Sequence, residues 1–262
     1  MTVNNMVNNQ MQTSMIRLAS GQRINSAADD AAGLGITERM TAQIQSLDRA
    51  TNNVMDMQNL VNTAEGGLST INNNLQRIRE LSIQAANGIL TQSDRQIIQN
   101  EVDQLVQEID AVSSRTEFNG MRVLDGGFSG EDTRNLHTAA DAMGRGPTVT
   151  IGNMSSSMLL PDGINVVNDS FDINISRIDN ALSMVSAQRS YLGAMSNRFD
   201  TTIAANQITN LNQAASRSRI RDADMALEAM NLQQSNVLMQ AQLMMQRRRQ
   251  EQESAVTLAT IR

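Results

Sequence analysis

A chain of 262 residues with 40% hydrophobic but only 2% aromatic side chains can bury a core, but one built from aliphatic residues and Met. That suits narrow helix-to-helix seams better than a ring-filled globule. All basic residues are Arg, 21 against 27 acidic residues, for a net charge of -6 and a pI near 4.9; this disfavours nucleic-acid binding, and the one cationic run, Arg247 to Arg249, is followed at once by Glu251 and Glu253 and reads as a solvated helix face.

The absence of Cys removes disulfides and thiolate metal sites. No apolar run approaches the ~20 residues of a membrane span, so no membrane insertion is expected. The Asn- and Gln-rich start, Met1 to Gln12, lacks the charged and apolar blocks of a signal peptide, so export would not follow the general secretory route.

In chain order, the first apolar stripe is Val7, Met11, Met15 and Leu18. From Ala50 a second runs through Val54, Met57, Val61, Ala64, Leu68, Ile71, Leu75 and Ile78, alternating steps of four and three, which predicts one long helix with a continuous seam. Gly66 and Gly67 fall inside it, each costing about 1 kcal/mol against Ala, and a seam this long absorbs that. The pattern breaks around Asn87 and Gly88. Ser93 and Asp94 then offer a start for a second helix, about Gln92 to Ser114, carrying Ile98, Val102, Leu105, Ile109 and Val112 and folding back antiparallel on the first.

Between Asn119 and Asp169 the helical period vanishes, and both prolines and most of the non-helical glycines fall here. Val149 to Ile151 and Ile164 to Val167 are candidate strands of a small antiparallel patch packed on the helices. The helical period resumes at Ile175, Ile178, Leu182, Val185, Leu192, Phe199 and Ile203, with Asp169 or Ser170 as cap. The same frame passes through Arg189, Ser196, Asn206 and Asn210, polar seam positions that fix register. A last set follows: Ile220, Ala223, Leu227, Met230, Val237, Ala241 and Met244. The fold class is therefore mainly α, with long antiparallel coiled-coil helices and a small β-element in the middle. The stripes at the two chain ends lack a partner except each other or a neighbouring molecule, which implies assembly.

Chemistry is sparse. The single histidine, His137, could join a zinc site only with carboxylates and reads as a solvated loop residue. Without Lys or Cys there is no phosphate-loop motif, Schiff-base nucleophile or thiol nucleophile. The acid pairs Asp29 with Asp30 and Asp222 with Asp224 read as turn and inter-helix hydrogen bonding rather than an acid/base dyad. Gly33-Leu34-Gly35 lacks the third glycine and preceding strand of a dinucleotide loop. No catalytic residue, cofactor or metal is expected, and the chain is read as a non-enzyme. Met is abundant, with Met239, Met244 and Met245 crowded near the end, as suits a helix packing against more than one partner.

Four stretches, in order, carry a family resemblance: LASGQRINSAADDAAG (Leu18 to Gly33), LQRIRELSIQAAN (Leu75 to Asn87), TEFNGMRVLDG (Thr116 to Gly126) and SRIRDADMALE (Ser218 to Glu228). Together they resemble the bacterial flagellins, in a short form with a minimal variable middle region. The resemblance implies an inner-tube segment and spoke over residues 1-30 and the N-terminal half of a helical stem over 31-127. A short variable β region at 128-169, the C-terminal half of the stem at 170-216 and a second inner-tube segment at 217-262 would follow.

It further implies a structural subunit of the extracellular flagellar filament, exported through a type III channel as a secreted protein and polymerised with copies of itself for motility. Its partners would be an export chaperone at the carboxyl-terminal region, the filament cap and hook-junction proteins, and a flagellin-sensing Toll-like receptor. The receptor-contact positions that match are Arg77, Leu81 and Glu101. Spoke and assembly positions are Asn25, Asp29, Asp30, Arg219, Arg221, Asp222 and Asp224. The terminal assembly seam would comprise Val7, Met11, Met15, Leu18, Leu227, Met230, Val237, Ala241 and Met244.

Two departures fall on the tube segments: a shorter stretch before Leu18 than the family usually has, and an ending, from Gln246, of QRRRQEQESAVTLATIR in place of an apolar one. The rival readings are a hook-to-filament junction protein, a non-polymerising secreted adhesin, and an enzyme with its site in the middle segment.

Overall fold

The four-and-three spacing after Ala50 becomes the middle of one helix, α2 (Ala31–Ala85), in the computed structural model, which describes residues 2–127, 136–137, 146 and 148–260. Val54, Ala64, Leu68, Ile71, Leu75 and Ile78 are fully buried along its seam. The helix runs through both glycines. At Gly67 there is no room for a side chain: a Cβ there would lie 2.7 Å from both Leu124 Cδ1 and Thr116 Oγ1, so the glycine admits the chain that follows the second helix.

That second helix, α3 (Gln92–Arg115), starts where the periodicity placed it, but its cap is Thr91. The Thr91 hydroxyl accepts from the Asp94 N–H while the Asp94 carboxylate accepts from the Thr91 N–H, a reciprocal capping box. These hydrogen bonds from Thr91, side chain then backbone, hold the Asp94 carboxyl below its ordinary range. Ile98, Val102 and Ile109 then bury against the α2 seam.

Helix α4 is a single turn, Ser156–Leu159, and α5 spans Phe171–Arg221. Ile178, Ala181, Val185, Leu192, Met195 and Phe199 form the buried stripe of α5. Three polar clasps join α5 to α2: Arg79 to Asp179 at 2.9 Å, Arg189 to Glu65 at 2.7 Å, and Gln58 to Asp200 at 2.7 Å. Rising numbers on one helix meet falling numbers on the other, so the pairing is antiparallel. Arg189, an expected polar position of the seam, is thus half-buried and paired. Of the two capping candidates, Asp169 instead accepts from Arg177 at 2.8 Å, and Ser170 immediately precedes the helix.

The middle region contains strands the periodicity missed. β1 (Glu117–Phe118) and β2 (Met121–Arg122) pair antiparallel across Asn119 and Gly120, whose φ values of 52° and 73° are those of a primed hairpin turn. β3 (Leu136–His137) pairs antiparallel with β4 (Thr148–Val149), so the expected strand at Val149 exists in part. The expected strand Ile164 to Val167 does not. The Gln99 amide donates to Ile164 O at 2.9 Å and accepts from Val166 N at 2.8 Å, so one buried side chain satisfies the backbone that a neighbouring strand would have paired. The remainder of the expected middle region, 128–135, 138–145 and 147, lies outside the described residues, as does the His137 side chain.

The chain divides into two units, Met1–Gln45 with Thr209–Arg262, and Ser46–Ile208. α2 and α5 contribute to both. The borders fall inside these helices, and the continuous aliphatic core begins beyond Gln45: Leu47, Ala50 and Val54 are buried, whereas in α2 before that point Gly33 and Thr37 are the buried positions. The second unit holds one large cluster of Leu, Ile, Val and Met.

Candidate assembly interface

In the first unit, α1 (Thr2–Ser20) pairs with α6 (Met225–Thr260). The chain reaches both through a junction made by backbone bonds. Arg23 N donates to Arg221 O at 2.7 Å and Ala223 N to Gly21 O at 3.0 Å, with Gln22 and Asp222 in an isolated antiparallel bridge. Arg23 Nη2 adds a 2.7 Å bond to Ile220 O, and Arg221 Nε a 2.9 Å bond to Gln22 Oε1. Of the expected spoke residues, Arg221 and the Asp222 backbone cross this junction, while the side chains of Asn25, Asp29, Asp30, Arg219, Asp222 and Asp224 bond locally.

Asp29 folds its own loop, accepting from the N–H groups of Asn25 and Ser26 and from the Ser26 hydroxyl. Those bonds, the Ser26 backbone foremost, hold its carboxyl below the ordinary range. Asn25 donates to Gln22 O. Asp30 accepts from Gly33 N at 2.8 Å and caps α2; Asp224 accepts from Ala226 N and Leu227 N and caps α6. Asp222 accepts from Ser218, and Arg219 donates to Ser216. Each acid of both pairs is committed to a local turn, cap or helix-end bond, and none of these carboxylates makes the expected inter-helix hydrogen bond.

The seam between α1 and α6 is polar at its centre. Glu228, 5% exposed, accepts from the Ser14 hydroxyl at 2.9 Å and from Arg17 Nη1 at 3.0 Å. Burial pushes its carboxyl up, but the bonds from Arg17, Ser14 and Asn231 outweigh burial and hold it below the ordinary glutamate value. Ser235 is also buried, and Val7 is the apolar residue buried beside them on α1. Val7, Met11 and Leu18 of the expected seam thus lie on or near this contact, while Met15 remains 48% exposed.

On α6 the expected apolar stripe does not face α1. Positions 228 and 235 are buried, whereas 230, 237, 241 and 244 are exposed. An offset of two residues is a rotation of about 200° in an α-helix, so this stripe occupies the side away from α1. Met230, Val237 and Met244 are 63%, 55% and 66% exposed, and Leu227, Leu238, Leu243 and Met245 are also open. Among the described residues of the first unit, Val7 and Ile24 are the buried hydrophobics. No helix there is long and apolar enough to cross a membrane.

In the second unit, Arg77 donates to Glu101 at 2.9 Å and to Glu80 at 3.1 Å, and the bond to Glu101 leads in raising its pKa. Both partners are exposed. Leu81, grouped with them by the resemblance, is 2% exposed and belongs to the core beneath. Leu81 shares the buried face of Ile78, three residues before it, so only the ion pair presents itself at the surface.

The pattern described as bacterial flagellin N-terminal helical region matches residues 1–129, and that for the C-terminal helical region matches residues 175–258. The chain is 38% identical over 247 residues to the flagellar filament 33 kDa core protein of Treponema phagedenis, covering 88% of this chain and 85% of that protein. It is 39% identical over 253 residues to the flagellin of Halalkalibacterium halodurans, covering 95% of this chain and 91% of the relative. A solved structure described as a flagellar hook-associated protein from Vibrio parahaemolyticus covers 74% of this chain and all of its own, with a TM-score of 0.58 at 17% identity, a likeness of fold alone.

Proposed function

The chain belongs to the bacterial flagellin family, and from that premise we propose that it is a structural subunit that polymerises with copies of itself into the flagellar filament for motility. One observation carries the reading: a helical pair with almost no apolar core of its own, whose longest terminal helix turns its apolar stripe to solvent. A lone helix draws most of its stability from tertiary packing, and exposed apolar surface of this extent marks an interaction site. Fully burying a Met or Val side chain contributes roughly 1.5–3 kcal/mol, so stacking copies along the Met230, Val237 and Met244 stripe offsets a substantial part of the entropy lost on association.

Before assembly the same stripe gives an export chaperone an apolar surface to cover at the carboxyl-terminal end. The cap and hook-junction proteins meet the subunit at filament ends through the same terminal helices. On the second unit the exposed Arg77 and Glu101 pair offers a flagellin-sensing Toll-like receptor its charged contact, with Leu81 acting from below by fixing the helix. Secretion through a type III channel requires unfolding, and a chain without disulfides places no covalent obstacle to it.

Heat-dissociated protein mixed with filament fragments should elongate into long tubes visible by electron microscopy. Persistent monomer under every seed and salt condition would overturn the reading.

A further inference from the structure

Among the described residues, six of the eleven exposed large hydrophobic residues of α1 and α6 are methionines. Met6, Met15, Met225, Met230, Met244 and Met245 are all between 48% and 69% exposed. In the second unit Met57, Met154 and Met195 are 7%, 4% and 3% exposed, while Met55, Met158 and Met184 of that unit are open. Thioether oxidation follows access, and it replaces a flexible apolar side chain with a polar, chiral one.

We infer that these methionines form a reversible oxidation site which gates assembly: a peroxide that reaches the unassembled subunit converts Met230, Met244 and their neighbours to sulfoxides and withholds that subunit from the filament. This rests on the filament reading above. Each thioether sulfur attacks one peroxide oxygen; the O–O bond breaks, an S–O bond forms, sulfur gives up two electrons, and the other oxygen leaves as water. In the reverse step a dithiol supplies the two electrons, the sulfoxide oxygen departs as water and a disulfide forms. The sulfoxide oxygen is a strong hydrogen-bond acceptor. Buried between copies without a donor, it removes the gain that burial of the thioether supplied. Once the stripe is packed between subunits its sulfurs lose access, so the polymer resists the reagent that blocks the monomer.

The test treats monomer with hydrogen peroxide, maps sulfoxides by peptide mass spectrometry, removes the oxidant and measures seeded elongation. Oxidation at the six terminal positions and not at Met57, Met154 or Met195 should raise the critical concentration by about tenfold or more, and methionine sulfoxide reductases for both epimers with dithiothreitol should restore it. The variant Met225→Leu/Met230→Leu/Met244→Leu/Met245→Leu should elongate after peroxide, whereas Met55→Leu/Met158→Leu/Met184→Leu should remain sensitive. Should the first variant misfold, protection of the same peptides in preformed wild-type filaments supplies the second readout.

Unchanged elongation of fully oxidised wild-type monomer would overturn the inference, as would equal oxidation of monomer and filament. Untreated monomer that never elongates overturns the filament reading and this inference with it, so the two failures are told apart by the untreated arm.

Discussion

Glu228 sits where a heptad would ordinarily hold a Leu. A buried carboxylate there needs partners, and Ser14 and Arg17 supply them from the other end of the chain. Its carboxyl titrates lower in the folded protein than in an unfolded chain. The contribution is therefore complete above the unfolded value of about 4.3 and fades as pH falls through the folded one. Amide hydrogen exchange in α1 and α6 should accelerate as pH drops below about 4, beyond the intrinsic pH dependence, and Glu228→Gln should flatten that response. The same substitution should cost the terminal pair roughly 1–3 kcal/mol at neutral pH by weakening its bonds to Arg17. Exchange rates in Glu228→Gln that match the parent would show that the pair carries no stability. This residue was not legible as a pairing position, because a periodicity search rewards apolar residues and the intramolecular seam is polar at its centre.

Among the elements, α2, α3 and α5 were readable because each carries a long aliphatic stripe, and the start of α3 was legible at about Gln92, though not its Thr91 cap. β1, β2 and β3 were not read from apolar alternation, since two-residue strands offer none, and β4 was read only in part; the Asn119-Gly120 pair was the available signal for the first hairpin. The strand expected at Ile164 to Val167 failed for a different reason: its partner is a Gln99 side chain, 65 residues away from Ile164, and nothing local announces it. Two substitutions test this level. Thr91→Ala removes one half of the capping box and should cost about 1 kcal/mol, seen as a lower melting temperature of the second unit. Gly67→Ala should destabilise by about 1–3 kcal/mol despite the better helix propensity of Ala, because its Cβ would meet Leu124 and Thr116. A stabilised Gly67→Ala would mean that this contact is looser than described.

For the whole molecule, the division of labour lies between a unit with an aliphatic core and one nearly without. The unit holding Val54 to Phe199 contains what an independently stable helical bundle requires. The unit holding both chain ends has polar pairing, backbone bridges at Gly21 to Ile24 and Arg221 to Ala223, and apolar residues turned outward. The candidate stripe on α6 was legible as an apolar set at helical spacing, but its direction was legible only once Glu228 and Ser235 were placed on the opposite side.

Met230→Glu with Met244→Glu should therefore abolish seeded elongation while leaving the monomer's helical circular dichroism unchanged, since neither side chain packs within one copy. Loss of helix in that variant would mean the stripe is already used internally. The absence of Cys permits a more direct reading with Val237→Cys as a unique thiol. Its maleimide labelling should be fast in the monomer and strongly slowed in sedimented filaments of the same protein; equal labelling rates in monomer and filament would contradict the claim that copies of the chain cover this face.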